Sequence, residues 1–193
     1  MQQIAIYCGA NSGVDPDFIK QAESFADVLV RRRVGVVYGG SRNGLMGVIA
    51  DRVLGQQGTV VGVMPKGLIQ WEQAHQHLTE MVSVSGMHER KQEMSQRADG
   101  FVALPGGIGT LEEIFEMISW AQLGVHFKPC AFFNVNGYYD KLIEFLDHSV
   151  IQGLMRKKIR DMILIGDEPE ALLNAMNNYS SPVDNSWIES SEV

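Results

Sequence analysis

The run Leu104-Pro105-Gly106-Gly107-Ile108-Gly109-Thr110-Leu111-Glu112-Glu113 decides how this chain is read. It follows a short apolar stretch, Phe101 to Leu104, that Pro105 ends, which is the pattern of a strand buried on both faces. Gly106, Gly107 and Gly109 are expected to take positive φ and to bring backbone N–H groups against a ligand without Cβ obstruction, at the positive end of the helix that follows. Thr110 is expected to cap that helix, with Glu113 as its capping-box partner. A glycine turn between strand and helix suits a phosphate.

Working outward, apolar strand-like runs recur at Ile4–Cys8, Val34–Tyr38, Val60–Met64, Met81–Val84, Phe101–Leu104, Cys130–Val135 and Met162–Ile165. Amphipathic segments lie between them. Asp15 and Pro16 read as N-cap and first residue of a helix whose stripe is Phe18, Ala22, Phe25, Ala26 and Leu29, and a second helix is expected from about Leu45 to Leu54. Alternating strands and helices, with strands apolar on both faces, predict an α/β fold: a Rossmann-like, doubly wound, mostly parallel sheet with helices on both faces. Residues 1–179 are expected to form a single nucleotide-binding domain, and 180–193, polar, serine-rich and acidic, a flexible C-terminal tail.

Composition narrows the function. Sixteen basic residues against twenty-three acidic ones leave a net charge of −7, unfavourable for binding a nucleic acid polymer but compatible with a nucleotide monomer in a local pocket. Cys8 and Cys130 each lie in an apolar run without a CxxC partner, so both are expected as buried free thiols in a reducing cytoplasm. No apolar stretch approaches the roughly 20 residues of a membrane span, and Met1 leads directly into a strand pattern without a basic leader, which predicts no membrane partner and no export. The histidines 75, 77, 88, 126 and 148 show no metal-ligand spacing, so no metal is expected.

Three glycine-bearing turns, starting at Gly9, Gly39 and Pro105, each follow a strand and therefore share the carboxyl edge of a parallel sheet, where ligands bind. Gly39 to Gly44 has P-loop spacing, but Leu45 and Met46 stand where Lys and Ser/Thr would hold phosphates and magnesium, which excludes an ordinary NTPase. The second strand ends Tyr38-Gly39-Gly40 without the acidic residue that binds an NAD ribose. Within Gly86–Phe101, a helical segment, Arg90 could reach a ligand over Gly106 to Thr110 or could pair with Glu93 on an ordinary charged helix. Glu113 is open in the same way, as a helix-start residue or a functional carboxylate. Glu112 and Glu116 share a helix face and could be a solvated first turn.

PGGIGTLEE fits the PGGxGTxxE pattern of the Lonely Guy (LOG) family of cytokinin riboside 5′-monophosphate phosphoribohydrolases. The segments MHERK from Met87, GGSRNGLMG from Gly39, and SWAQLG followed by His126 resemble its other recurring segments in the same order, from about Ile4 to about Gly153. The resemblance implies a Rossmann-like homodimer that hydrolyses the N-glycosidic bond of a nucleoside 5′-monophosphate to free base and ribose 5-phosphate, without a cofactor. It carries catalytic roles onto Arg90 and Glu113. Gly9, Ser12, Gly39, Gly40, Gly44, Met46, Met87, Lys91, Pro105, Gly106, Gly107, Ile108, Gly109, Thr110 and Glu116 are the expected substrate contacts. Gly67 stands where some relatives carry an acidic side chain, so the preferred base is left open. A general AMP nucleosidase and a non-catalytic nucleotide or cofactor carrier are the alternatives.

Overall fold

Strand β1 (Gln3–Tyr7) divides its side chains between two cores: Ile4 and Ile6 face one, Ala5 and Tyr7 the other. A strand apolar on both faces needs a layer on each side. In the computed structural model, which describes residues 1–68 and 73–183, both layers are present. With β2 (Gly35–Tyr38), β3 (Val60–Pro65), β4 (Glu80–Val84), β5 (Phe101–Ala103), β6 (Cys130–Phe133) and β7 (Ile163–Gly166), it forms a seven-stranded sheet in the order β4-β3-β2-β1-β5-β6-β7. Every pairing is parallel.

The helices are α1 (Asp17–Arg31), α2 (Gly44–Gly55), α3 (Met87–Arg97), α4 (Ile108–Leu123), α5 (Asp140–Ile151), α6 (Lys157–Asp161) and α7 (Pro169–Asn177). Phe25 and Leu29 of α1, Ile49 and Val53 of α2, and Leu172 and Met176 of α7 pack on the Ile4–Ile6 face. Met94 of α3, Ile114 and Met117 of α4, and Leu146 of α5 pack on the Ala5–Tyr7 face. The expected doubly wound architecture is present, and the strands start and end within about two residues of the runs read from hydrophobicity. The chain steps outward from β1 to β4, then crosses back to lay β5 along the other side of β1. At that switch point the turns leaving β1 and β5 diverge, and a crevice opens at the carboxyl edge.

Two local expectations need correction. Helix α1 begins one residue later than Asp15-Pro16 implied: Pro16 occupies the cap position, while the Asp15 carboxylate accepts the Asp17 N–H at 2.9 Å and so still satisfies a donor of the first turn. Helix α4 begins earlier. Gly107 is its N-cap, with extended φ of −92° and ψ of −152°, and no side chain caps it. Thr110 is therefore the third helical residue, and Glu113 is not a capping-box partner. Nor do Gly106, Gly107 and Gly109 adopt positive φ; among the described glycines that conformation belongs to 13, 40, 44, 124, 137 and 153.

Cys8 and Cys130 are free and buried. Among the described residues no helix is long and apolar enough to cross a membrane. Val183, at the start of the expected tail, packs with Ala121, Ile159 and Met162, and 184–193 lie outside the described residues.

His126, between α4 and β6, packs on Phe101 with ring centroids 5.1 Å apart and accepts the Lys128 N–H at Nδ1. Burial first, and the Lys128 charge second, hold its imidazole down to about 4. Protons therefore bind the unfolded chain before the folded one. The stability that neutral His126 contributes is complete above about pH 6.5 and is lost as the pH falls toward 4, by about 2–3 kcal/mol. Denaturant unfolding across that window should show the fall in wild type and a shallower one in His126→Gln; identical pH dependence in both proteins would contradict this.

Candidate active site

The crevice at the switch point is a cleft of about 470 Å³. Its floor is the turn after β1, Gly9 to Gly13; one wall is Pro105 to Thr110 with Glu112 and Glu113 of α4, and another is Leu45 and Met46 of α2 with Met87 and Arg90 of α3. Phe18 and Tyr138 close the outer end, their rings edge to face with centroids 5.4 Å apart.

Arg90 is the deepest charge in this cleft. It is 5% exposed, it donates from Nη2 to the Gly39 carbonyl at 3.3 Å, and the Met87 sulfur lies 3.7 Å from Nη1. Its Nε is buried without a hydrogen-bond partner, an expensive arrangement that marks a donor aimed at something other than the protein. Glu113 faces it, with Oε1 at 4.0 Å from Nη2 and its side chain only 14% exposed. The surface pairing of Arg90 with Glu93 does not occur; Glu93 accepts from Arg97 instead, at 2.6 Å.

Glycine has distinct jobs here. A Cβ on Gly39 would lie 2.0 Å from the Arg90 Nη2, so Gly39 lets the guanidinium reach the backbone of β2's end. Gly44, at φ +55°, packs on the first turn, where a Cβ would lie 2.3 Å from the Ala10 carbonyl carbon, and the neighbouring Leu45 N–H donates to the Gly9 carbonyl at 3.0 Å. Gly106 leaves room for the buried Thr110, whose Oγ1 would be 2.1 Å from a Cβ. Gly107 and Gly109 are the open ones: a Cβ on either meets nothing within 4 Å. The start of α4 thus lines the cleft with small residues, and the helix dipole adds positive potential there.

Of the expected contacts, Gly9, Ser12, Met46, Met87, Pro105, Gly106, Gly107, Gly109 and Thr110 line the cleft with Arg90 and Glu113. Gly39, Gly40 and Gly44 do not line it; they shape the turn behind it. The Ile108 side chain points out to solvent at the helix start. Lys91 and Glu116 are joined to each other: the buried Lys91 Nζ donates to Glu112 at 2.5 Å and to Glu116 at 3.0 Å, tying α3 to α4. Glu112 and Glu116 are therefore paired with Lys91, Glu112 keeping half of its side chain exposed. Missed from sequence were Cys8, Ala10, Asn11, Gly13, Phe18, Leu45, Glu112 and Tyr138. Tyr138 had a usable signal, since Asn136-Gly137 marks one more turn at the carboxyl edge, after β6.

Burial, then the charge of Glu113, push the Cys8 thiol up, so it stays protonated and is no thiolate nucleophile at neutral pH. Burial and Glu113 likewise raise the Tyr7 phenol, which places the carboxylate's field at the end of β1.

Fold and site together define an α/β protein with a glycine-rich helix start beside a buried guanidinium and carboxylate. The chain belongs to the family whose model is described as possible lysine decarboxylase, matched over residues 46–176, and within it to the Lonely Guy proteins. It is 40% identical to a cytokinin riboside 5′-monophosphate phosphoribohydrolase of Arabidopsis thaliana, over 95% of this chain and 84% of that one. It is 42% identical to a probable enzyme of the same name from Oryza sativa subsp. japonica, over 92% of this chain and 80% of that one. A molybdenum cofactor carrier protein from Chlamydomonas reinhardtii shares the fold at a TM-score of 0.66 and 15% identity, over 91% and 95% of the two chains. The residues do not fit the pyridoxal chemistry that the word decarboxylase suggests, because no lysine lines the cleft: Lys91 is held by two carboxylates and Lys128 by the Ser95 carbonyl.

Gly39→Ala should fold but melt about 5–10 °C below wild type, because it moves the buried guanidinium off the Gly39 carbonyl. A crystal structure of the variant checks this, and an unmoved Arg90 would contradict it.

Proposed function

We propose that this protein hydrolyses the N-glycosidic bond of cytokinin riboside 5′-monophosphates, N6-modified AMP, to free base and ribose 5-phosphate. The observation that carries the proposal is the facing of buried Arg90 and Glu113, 4.0 Å apart, beside the start of α4. The relatives named above support it. In this reading the amides at Gly107 to Thr110 hold the 5′-phosphate and direct the sugar toward Glu113. Breaking the bond from C1′ to the base builds positive charge on the ribose and negative charge on the leaving base. The Glu113 carboxylate stabilises that cationic sugar and positions the attacking water. The water oxygen bonds to C1′, the bond electrons leave with the base, and the base takes up a proton. The Arg90 guanidinium holds the substrate and offsets the developing negative charge.

The phosphate is remote from the bond that breaks, so its binding energy positions the reacting centre. Neither a metal nor a cofactor has a part in this scheme. A homodimer in the cytoplasm belongs to the same proposal, supported by the buried free thiols and by exposed Phe145, Ile151 and Leu154 on and after α5.

Product analysis with isopentenyladenosine monophosphate, AMP and their nucleosides tests the substrate class. Base should be released from monophosphates and hardly from nucleosides, without added metal; equal rates on both would sink the reading. Reaction of the prenylated monophosphate alone supports the cytokinin preference, and AMP turned over as well or better makes the protein a general nucleotide nucleosidase.

Glu113→Gln should stay folded, still bind a monophosphate and lose at least roughly 100-fold in turnover, and Arg90→Lys should lose comparably because an ammonium lacks the guanidinium fork. Near-normal turnover by folded Glu113→Gln would remove the carboxylate from the mechanism.

A further inference from the structure

Three successive carbonyls of the glycine turn each accept a hydrogen bond from another part of the fold. The Leu104 carbonyl accepts the Tyr139 hydroxyl at 2.6 Å, the Pro105 carbonyl accepts the Gly9 N–H at 3.0 Å, and the Gly106 carbonyl accepts the Tyr138 hydroxyl at 2.8 Å. The two tyrosines are consecutive and precede α5, on an element that carries none of the residues assigned to the reaction. Tyr139 is buried among Phe132 and its neighbours, whereas Tyr138 is 44% exposed and stands at the mouth of the cleft against Phe18.

Each of these hydrogen bonds does something different, because in a trans peptide the C=O and the next N–H point in opposite directions. Fixing the Gly106 carbonyl fixes the Gly107 N–H. That amide opens the row at the start of α4. The peptide between Gly106 and Gly107 is also the one most free to turn over, since a flip would carry Gly107 from φ −92° into the left-handed half of φ, which glycine tolerates and other residues resist. A flipped peptide would present a carbonyl oxygen to the anion in place of an N–H. The Leu104 carbonyl has no such consequence, because the next residue is Pro105, which has no N–H to orient.

We infer that Tyr138 is a positioning residue for the phosphate subsite: its hydroxyl locks the Gly106–Gly107 peptide with the N–H toward the cleft and so sets affinity for the 5′-phosphate. This rests on the nucleotide reading above. Tyr139 makes an equally short bond to the same turn and serves stability alone.

Titration calorimetry with ribose 5-phosphate and with adenosine, on wild type, Tyr138→Phe and Tyr139→Phe, separates the two roles. Tyr138→Phe keeps the ring on Phe18 and removes only the hydroxyl. It should bind ribose 5-phosphate roughly three- to tenfold more weakly, the worth of one hydrogen bond, with adenosine binding unchanged. Tyr139→Phe should melt at lower temperature and bind ribose 5-phosphate as wild type does. Unchanged ribose 5-phosphate affinity in Tyr138→Phe overturns the inference, and so does an equal loss in both variants, which would mean general loosening of the turn. Wild type that fails to bind ribose 5-phosphate overturns the nucleotide reading itself and the inference with it.

Discussion

A guanidinium cannot be buried without partners, and the site is organised around meeting that demand for Arg90. An unpaired charge in a protein interior costs several kcal/mol, so the cation needs a carbonyl, a carboxylate or a ligand within reach. The Gly39 carbonyl is the backbone partner, and it is reachable only because residue 39 has no Cβ. Glu113 supplies opposite charge from α4, and the unpartnered Nε leaves one donor for what enters the cleft. The parallel sheet makes this possible by ending β1, β2 and β5 at one edge, so that helices α3 and α4 deliver their side chains over the same crevice.

The separation of Arg90 and Glu113 is held by a second ionic arrangement just behind the first. Lys91, next to Arg90, bridges Glu112 and Glu116, which flank Glu113 along α4. A buried cation with two carboxylates one helical turn apart constrains the spacing of the helices more than it stabilises the fold. The glycine turn at the other end of the cleft is held by neutral hydrogen bonds to the carbonyls of Leu104, Pro105 and Gly106. Cation, carboxylate and amide row therefore occupy fixed positions before any ligand arrives, which is what electrostatic stabilisation of a charged transition state requires.

The fold was almost wholly legible in the sequence. Both faces of β1, β2, β5 and β6 are buried, so each reads as a continuous apolar run, and Gly and Pro punctuate their ends. Helix starts were less legible. Thr110 with Glu113 imitates a capping box, yet the backbone turns into the helix at Ile108, because Gly107 already has the extended conformation of a cap. At the site, spacing alone left Arg90 and Glu113 open and the family resemblance singled them out, but the reason for Gly39 was not visible: its demand comes from a side chain 51 positions away. Lys91 and Glu116 read as ligand contacts because charge near a phosphate turn looks functional, and only packing of α3 on α4 reveals that they bind each other. The Asn136-Gly137 turn could have placed Tyr138 at the carboxyl edge, but the bond of its hydroxyl to a backbone carbonyl 32 residues earlier has no local pattern.

In the proposed mechanism Arg90 and Glu113 work as one unit on a single developing charge separation. A double-mutant cycle on turnover at saturating substrate, with Arg90→Ala, Glu113→Gln and the combined variant, tests it most directly. Strong non-additivity is expected, the combined variant being little slower than the slower single one. Losses that simply multiply would mean that the two residues act independently and that their meeting at the switch point is not the source of catalysis.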